Sequence, residues 1–142
     1  MKTRVFVLVP YNADVNSLLE VADRCLETHR QHSSSLRSGR FDYLCGDDGC
    51  FDDAIAEGRL PAQMKRALRG HICGIERLPD EVIPGALVTP DGRWHDLNDF
   101  GYRTADEKST ENRTAIDAWT ARYRELLAEN PYCWVLQYLA HS

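Results

Sequence analysis

The sequence predicts a single globular α/β domain of the α+β kind over residues 1–142, with a mixed β-sheet, two main helices packed on it and a central C-terminal strand. Short apolar runs near both ends of the chain are typical of buried strands, and two longer segments with apolar residues at helical spacing are typical of helices that cover a sheet. Between them, a Pro-Asp-Gly turn predicts a β-hairpin. A chain of 142 residues is long enough for one hydrophobic core.

The first half of the chain predicts a strand, a helix and then shorter elements. RVFVLV is apolar and β-branched and is followed by Pro10, so we expect a buried strand near residues 3–9. A helix follows, with Asn12 or Asp14 as its N-cap, and ends before the serines at 33–35. Residues 41–45 and 71–78 predict further strands, and residues 52–69 predict one or two short helices. The apolar face of the first helix comprises Val15, Leu18, Leu19, Ala22, Cys25, Leu26 and His29.

The second half of the chain gives clearer signals. In ALVTPDGRWH, residues 86–95, Pro90 presets φ for a turn and Gly92 accepts a positive φ, so the segment predicts a hairpin. The longest helix is predicted to begin after Ser109 or Thr110 and to end at Asn130. YCWVLQYLA is apolar almost throughout, which is typical of a central strand buried on both faces. The predicted apolar stripe of the long helix comprises Ile116, Trp119, Tyr123, Leu126 and Leu127, and we expect Trp119 to pack near Trp134 or Tyr138.

Composition excludes several classes of protein. The net charge of −5 provides no overall electrostatic attraction for nucleic acid or for an anionic membrane, so neither partner is expected. The apolar run Val5–Val9 is too short for a signal peptide or a membrane span, and five scattered cysteines do not form an even disulfide framework. A reduced cytoplasmic protein is therefore predicted. Candidates for a local basic patch are Arg37, Arg40, Lys65, Arg66 and Arg69.

Three pieces of the chain together resemble a family of small bacterial proteins of uncharacterised function. They are RFDYLCGDDG from Arg40, ALVTPDGRWHDLNDFGY from Ala86 and WVLQYLAHS from Trp134, and the resemblance covers most of the chain. The family's central turn usually reads Gly-Gly-Arg-Trp where this chain has GDDGCF, and its final strand tends to end Asp-x-His where this chain has Leu139-Ala140-His141. The resemblance implies a fold of this class and brings no activity with it.

The consecutive residues Trp94, His95 and Asp96 are the first candidates for a ligand-binding site. Side chains alternate along a strand, so Trp94 and Asp96 share one face and His95 points to the other. We expect Trp94 to cap the core and His95 to face solvent or a cleft. His141, at the end of the last strand, is a further candidate, because clefts form at the carboxyl edge of open α/β sheets. If His95 and His141 met there with Asp47 or Asp48, an acid/base pair or a metal site would be feasible.

Cysteine, histidine and aspartate residues suggest two possible metal sites, and both have a simpler explanation. Thiolates and imidazoles bind zinc, and the candidates are Cys45, Cys50, His71 and Cys73. Their spacing lacks the usual Cys-x2-Cys pair, so buried thiols in the core are the favoured interpretation. The aspartates in GDDGCFDD fit a turn that leads into a helix better than a calcium site. We expect no metal and, without a Gly-rich phosphate-binding motif, no nucleotide cofactor.

No catalytic motif outweighs its structural interpretation. The leading hypothesis is therefore a non-enzymatic module that binds a small ligand or a partner protein of unknown identity. The alternative is a small hydrolase, with or without a metal, that uses His95, His141 and Asp47 or Asp48. The sequence leaves open whether the protein is an enzyme.

Overall fold

The strands and helices occur in nearly the predicted order along the chain. The computed structural model describes residues 2–31, 39–45, 71–103 and 108–142, and the predicted short helices at 52–69 lie outside these residues. The strands are β1 (Lys2–Pro10), β2 (Tyr43–Cys45), β3 (Ile72–Gly74), β4 (Ala86–Val88), β5 (Trp94–Asp96) and β6 (Cys133–His141). The helices are α1 (Leu18–Glu27) and α2 (Thr110–Glu129), and short 3-10 turns cover Val15–Ser17, Ile75–Arg77 and Leu97–Phe100.

The described strands form one mixed sheet in the order β2-β6-β1-β4-β5. β6 pairs antiparallel with β1 along its whole length, and its other edge is shared by β2 and β3. β1 and β4 are parallel, and β5 returns antiparallel to β4 as the second arm of the hairpin. The predicted central C-terminal strand, the hairpin and the mixed sheet with two helices packed on it are confirmed.

Side-chain caps explain where the two helical segments begin. The Asp14 carboxylate accepts a hydrogen bond from the Asn16 N–H at 3.1 Å, just before the first 3-10 turn. Ser109 Oγ accepts one from the Asn112 N–H at 3.1 Å, at the start of α2. Each cap satisfies a backbone donor that has no partner within the helix, as predicted for Asp14 and Ser109.

The two helices cover opposite faces of the sheet. α1 packs Leu18, Ala22 and Leu26 against the face that carries Val5 and Val7. α2 packs on the other face, and its contact line consists of Asn112, Ala115, Trp119, Tyr123 and Leu126. These residues follow one another at intervals of three and four, as the helical period requires. Ile116, predicted in this stripe, lies one position to the side and is 40% exposed, so its assignment to the core was wrong.

The predicted contact of Trp119 with Trp134 or Tyr138 is also wrong. Trp119 is buried against the sheet, and its indole N–H donates to the Pro84 carbonyl at 2.8 Å. It shares its core with Phe6 and Tyr123, whereas Trp134 and Tyr138 belong to the core beneath α1. The reason is the two-residue period of β6, which points even-numbered side chains toward α1 and odd-numbered ones toward α2.

We expect Trp119→Ala to lower the free energy of unfolding by about 3–5 kcal/mol, because it empties a large site in the core under α2. Tyr132→Ala is the matched control, since Tyr132 is 75% exposed, and it should change stability by no more than about 0.5 kcal/mol. Urea denaturation measures both values. Equal stabilities of the two variants would contradict this packing of α2.

Gly92, at the hairpin turn, has a φ of 82°, and the space beside it is open, with no atom within 4 Å of the point where a Cβ atom would lie. We expect Gly92→Val to cost about 1–2 kcal/mol, because the left-handed backbone is strained for a residue with a Cβ atom. Gly92→Asn should cost less, since asparagine tolerates this conformation. Thermal unfolding of both variants tests the turn, and a valine variant as stable as the asparagine variant would refute it.

Candidate ligand-binding clefts beside the hairpin

The hairpin distributes the candidate residues Trp94, His95 and Asp96 over two faces. In the register of β4 and β5, Trp94 lies opposite Val88, His95 opposite Leu87, and Asp96 opposite Ala86. Trp94 packs on the core beneath α1, as predicted, while Leu87 belongs to the core beneath α2. Consecutive residues of the sequence therefore line two separate clefts, which we call the Trp94 cleft and the His95 cleft.

Trp94 is held by an aromatic group and by one hydrogen bond. Its ring stacks on Phe41 with centroids 6.0 Å apart and lies 5.4 Å from the ring of His29. Its indole N–H donates to Asp96 Oδ2 at 2.8 Å. His29 Nε2 in turn lies 2.7 Å from the Gly92 carbonyl, which can only accept, so this nitrogen carries the proton. The hairpin is thus attached to the segment after α1.

Asp96 is buried, and each of its two carboxylate oxygens accepts a hydrogen bond. Oδ1 accepts a hydrogen bond from the Asp99 N–H at 3.1 Å, and Asp99 Oδ2 accepts one from the Asp96 N–H at 3.1 Å. This reciprocal pair caps the 3-10 turn Leu97–Phe100. Arg40 Nη1 lies 3.6 Å from Asp96 Oδ2 and 3.7 Å from Asp99 Oδ1. These donors and the cationic neighbour supply polar partners to the carboxylate of Asp96 in its buried position.

The backbone around Arg40 explains why this residue reaches the hairpin. The Arg40 N–H donates to the His29 carbonyl at 2.7 Å, and the Gln31 N–H donates to the Phe41 carbonyl at 2.6 Å. These bonds hold residues 39–42 alongside the residues that follow α1. Arg40 and Phe41 are thereby placed beside Trp94 and Asp96.

The Trp94 cleft opens at the end of the sheet, beside the start of β1 and the end of β6, and has a volume of about 270 Å³. Four of its lining residues are of charged types, three of them cationic (Lys2, Arg4, Arg40) and one anionic (Asp96). Arg40 was a predicted member of a basic patch. Lys2 and Arg4 were not predicted, because in the sequence they look like ordinary flanks of a strand. The remaining wall includes Thr3, Gly85, Trp94, Leu97, Asn98, Tyr102, Ala140 and Ser142.

The His95 cleft lies on the α2 side of the hairpin, has a volume of about 450 Å³ and contains a short hydrogen-bonded chain. Thr89 Oγ1 donates to Asp91 Oδ1 at 2.5 Å and lies 3.2 Å from His95 Nε2. Because the one hydroxyl proton is directed at the carboxylate, the Thr89 oxygen accepts from Nε2–H of His95. Burial lowers the pKa of His95 below its usual 6.5, and the positive charge of Arg122 lowers it further, against the opposing effect of Asp91.

His95 and His141 do not meet in one cleft. In register, His95 is level with Leu87, Phe6 and Gln137, so it lies three strand spacings from β6, or about 14 Å. His141 is four residues farther along β6, about another 13 Å. Its ring stacks on Tyr43 at 4.7 Å, and its Nδ1 lies 3.4 Å from Asp42 Oδ2. Asp47 and Asp48, the predicted partners of the two histidines, lie outside the described residues.

Three of the four candidate zinc ligands, Cys45, His71 and Cys73, lie along the β2 and β3 side of β6. Cys45 pairs with Leu139, the buried Cys73 pairs with Val135, and the His71 carbonyl accepts a hydrogen bond from the Gln137 N–H at 2.7 Å. Cys50 lies outside the described residues. Among the residues that are described, no three His, Cys, Asp or Glu side chains are arranged to hold a metal ion.

Comparison with known proteins adds no assignment to these observations. The chain matches no protein-family model, and no curated protein and no solved structure is significantly similar to it. The resemblance to the small bacterial family stays a prediction. Within the described part of the chain, no helix is both long enough and apolar enough to cross a lipid bilayer.

The lowered pKa of His95 predicts a contribution to the pH dependence of stability. As the pH falls through 6.5, the unfolded chain takes up a proton before the folded chain does, so this group destabilises the folded state progressively. We expect His95→Gln, which keeps a donor for Thr89, to lose less unfolding free energy than the wild type between neutral and mildly acidic pH. Urea denaturation across this interval measures the difference, and parallel pH profiles would contradict it.

Proposed function

We propose that the chain is a non-enzymatic cytoplasmic module that binds a small ligand in the Trp94 cleft. The observation that carries this proposal is the way in which Trp94 is fixed beside an open cleft. Phe41, His29 and Asp96 hold its ring in place. A binding surface that is already ordered loses little conformational entropy when a ligand arrives, so more of the interaction energy appears as affinity.

The composition of the Trp94 cleft also suits a small molecule. Ligand sites are typically concave and combine an apolar wall with a few placed polar groups. Here Trp94, Leu97 and Tyr102 contribute apolar surface, and the paired side chains of Asp96 and Arg40 are polar groups beside Trp94. The volume of about 270 Å³ fits a compact ligand.

The alternative, a hydrolase that uses His95 and His141 together, receives no support from their positions. The two imidazoles are separated by three strand spacings and by four residues along β6. A single water molecule or substrate group cannot contact both. The separation of the two histidines therefore favours the binding module over the hydrolase.

A cytoplasmic location is part of the proposal. Cys25, Cys45 and Cys133 are unpaired thiols, as expected in a reducing compartment. Burial raises the pKa of the Cys133 thiol, which disfavours the reactive thiolate.

The indole N–H signals of the three tryptophans provide a direct test of the binding site. A ligand found by thermal shift in a panel of small metabolites should move the Trp94 signal in a heteronuclear NMR spectrum, because this indole lines the cleft. The signals of Trp119 and Trp134, which are buried in the two cores, serve as internal controls. Trp→Phe variants assign the three signals.

A stabilising ligand that leaves the Trp94 signal in place while moving backbone signals around His95 would refute the proposed site. Such a result would assign binding to the His95 cleft instead.

A further inference from the structure

We propose that Nδ1 of His95 is a phosphoryl acceptor, at which a small phosphoryl donor such as phosphoramidate forms a phosphohistidine. This inference concerns the His95 cleft and does not depend on the ligand proposed for the Trp94 cleft. Three features carry it: the hydrogen bond that holds the other ring nitrogen, the open position of Nδ1, and the guanidinium of Arg122.

The hydrogen bonds of Thr89 determine which nitrogen of His95 is the nucleophile. Thr89 Oγ1 donates to Asp91 Oδ1 at 2.5 Å, so its oxygen accepts the proton of His95 Nε2 at 3.2 Å. The backbone N–H of Arg93 also donates to Asp91 Oδ1, at 3.2 Å, and keeps this carboxylate beside Thr89. A neutral imidazole with its proton on Nε2 has its lone pair on Nδ1, which is therefore the atom that reacts.

The Nδ1 atom of His95 is accessible. Among the described residues it has no hydrogen-bond partner, and it is not sealed from solvent. By contrast, Nδ1 of His141 is buried and lies 3.4 Å from Asp42 Oδ2. His95 pairs with Leu87, which belongs to the core beneath α2, so its ring points to the α2 side of the hairpin. A small reagent that enters the His95 cleft from solvent therefore meets the lone pair of Nδ1.

Arg122 supplies a positive charge that suits a phosphoryl group. It precedes the buried Leu126 by one helical turn, so it lies on the flank of α2 that borders the sheet. Burial and then the charge of Arg122 lower the pKa of His95, so this charge acts on the imidazole. Glu125 and Glu129 bind Arg122 through Nη1 alone, at 3.0 and 3.3 Å. Nε and Nη2 have no partner among the described residues, and a planar guanidinium matches phosphoryl oxygens.

At neutral pH the ring of His95 is uncharged and nucleophilic. Burial lowers its pKa below the usual value, and the charge of Arg122 lowers it further. Of the other charged groups around the ring, Asp91 and Asp99 oppose this shift and Arg93 adds to it. A protonated imidazole has no lone pair to attack phosphorus, so the rate of modification should fall as the pH falls through this pKa.

The proposed step transfers the phosphoryl group without oxidation or reduction. The lone pair of Nδ1 attacks phosphorus, the P–N bond of phosphoramidate breaks, and its protonated nitrogen leaves as ammonia with the electrons of that bond. The Nε2 proton stays between His95 and Thr89, and Asp91 stabilises through Thr89 the positive charge that develops on the ring. Arg122 stabilises the negative charge of the phosphoryl oxygens.

The test incubates the protein with phosphoramidate at neutral pH and follows its five histidines by tandem mass spectrometry. We expect His95 to react at least about tenfold faster than His141, whose imidazole lies beside a carboxylate instead of a guanidinium. Nitrogen and phosphorus NMR should place the phosphoryl group on Nδ1. Arg122→Gln should slow the reaction of His95 by about tenfold or more, because a hydrogen bond between charged groups is lost. Arg124→Gln, on the exposed side of α2, is the matched control and should react like the wild type.

Thr89→Val tests the hydrogen-bonded chain separately, because valine is also β-branched and lacks the hydroxyl. We expect this variant to give a mixture of Nδ1 and Nε2 products, since the proton of His95 is no longer held on Nε2. Reaction of His95 no faster than that of His141, a wild-type product on Nε2, or equal rates in Arg122→Gln and the wild type would each overturn the inference. A Thr89→Val variant that gives the Nδ1 product alone would overturn it as well. Arg122→Gln keeps the test decisive if Thr89→Val does not fold, since the Arg122 side chain is 38% exposed.

Discussion

The pairing of β1 with β6 is the interaction on which the rest of the structure depends. It joins strands from opposite ends of the chain along nine consecutive residues, from Lys2 opposite His141 to Pro10 opposite Cys133. Every other described strand is added to this pair: β2 and β3 to the free edge of β6, β4 to β1, and β5 to β4. Such a long-range pairing is costly in chain entropy, so it forms because burial of both strands on two faces repays that cost.

Because side chains alternate along each strand, the register of the sheet also determines on which face each candidate residue lies. Val5 and Val7 face α1, and Phe6 and Leu8 face α2. β4 and β5 continue the same alternation, which separates Trp94 and Asp96 from His95. The pairing of β1 with β6 therefore determines which helix covers each core. It also determines which of the two clefts each candidate side chain faces. A shift of the register by one residue would exchange the two faces.

The two clefts differ in the charged groups that line them. In the Trp94 cleft, backbone and indole N–H groups and Arg40 surround the buried carboxylate of Asp96. In the His95 cleft, burial and Arg122 favour the neutral imidazole, and the Thr89–Asp91 pair directs its Nε2 proton. The first cleft thus has a paired carboxylate and guanidinium in its wall, whereas the second presents an uncharged ring.

The sequence by itself determined the elements whose signals are local. The Pro-Asp-Gly turn, the caps at Asp14 and Ser109, the continuous apolar run of β6 and the opposite orientations of Trp94 and His95 all follow from residues a few positions apart. Only the tertiary structure decided which faces meet. The positions of Trp119, His141 and Lys2 depend on how distant strands align. That alignment is set by the total apolar surface buried in the cores beneath α1 and α2. No short stretch of sequence contains that sum, so the Trp94 cleft forms only when β1, the segment at Arg40 and the hairpin come together.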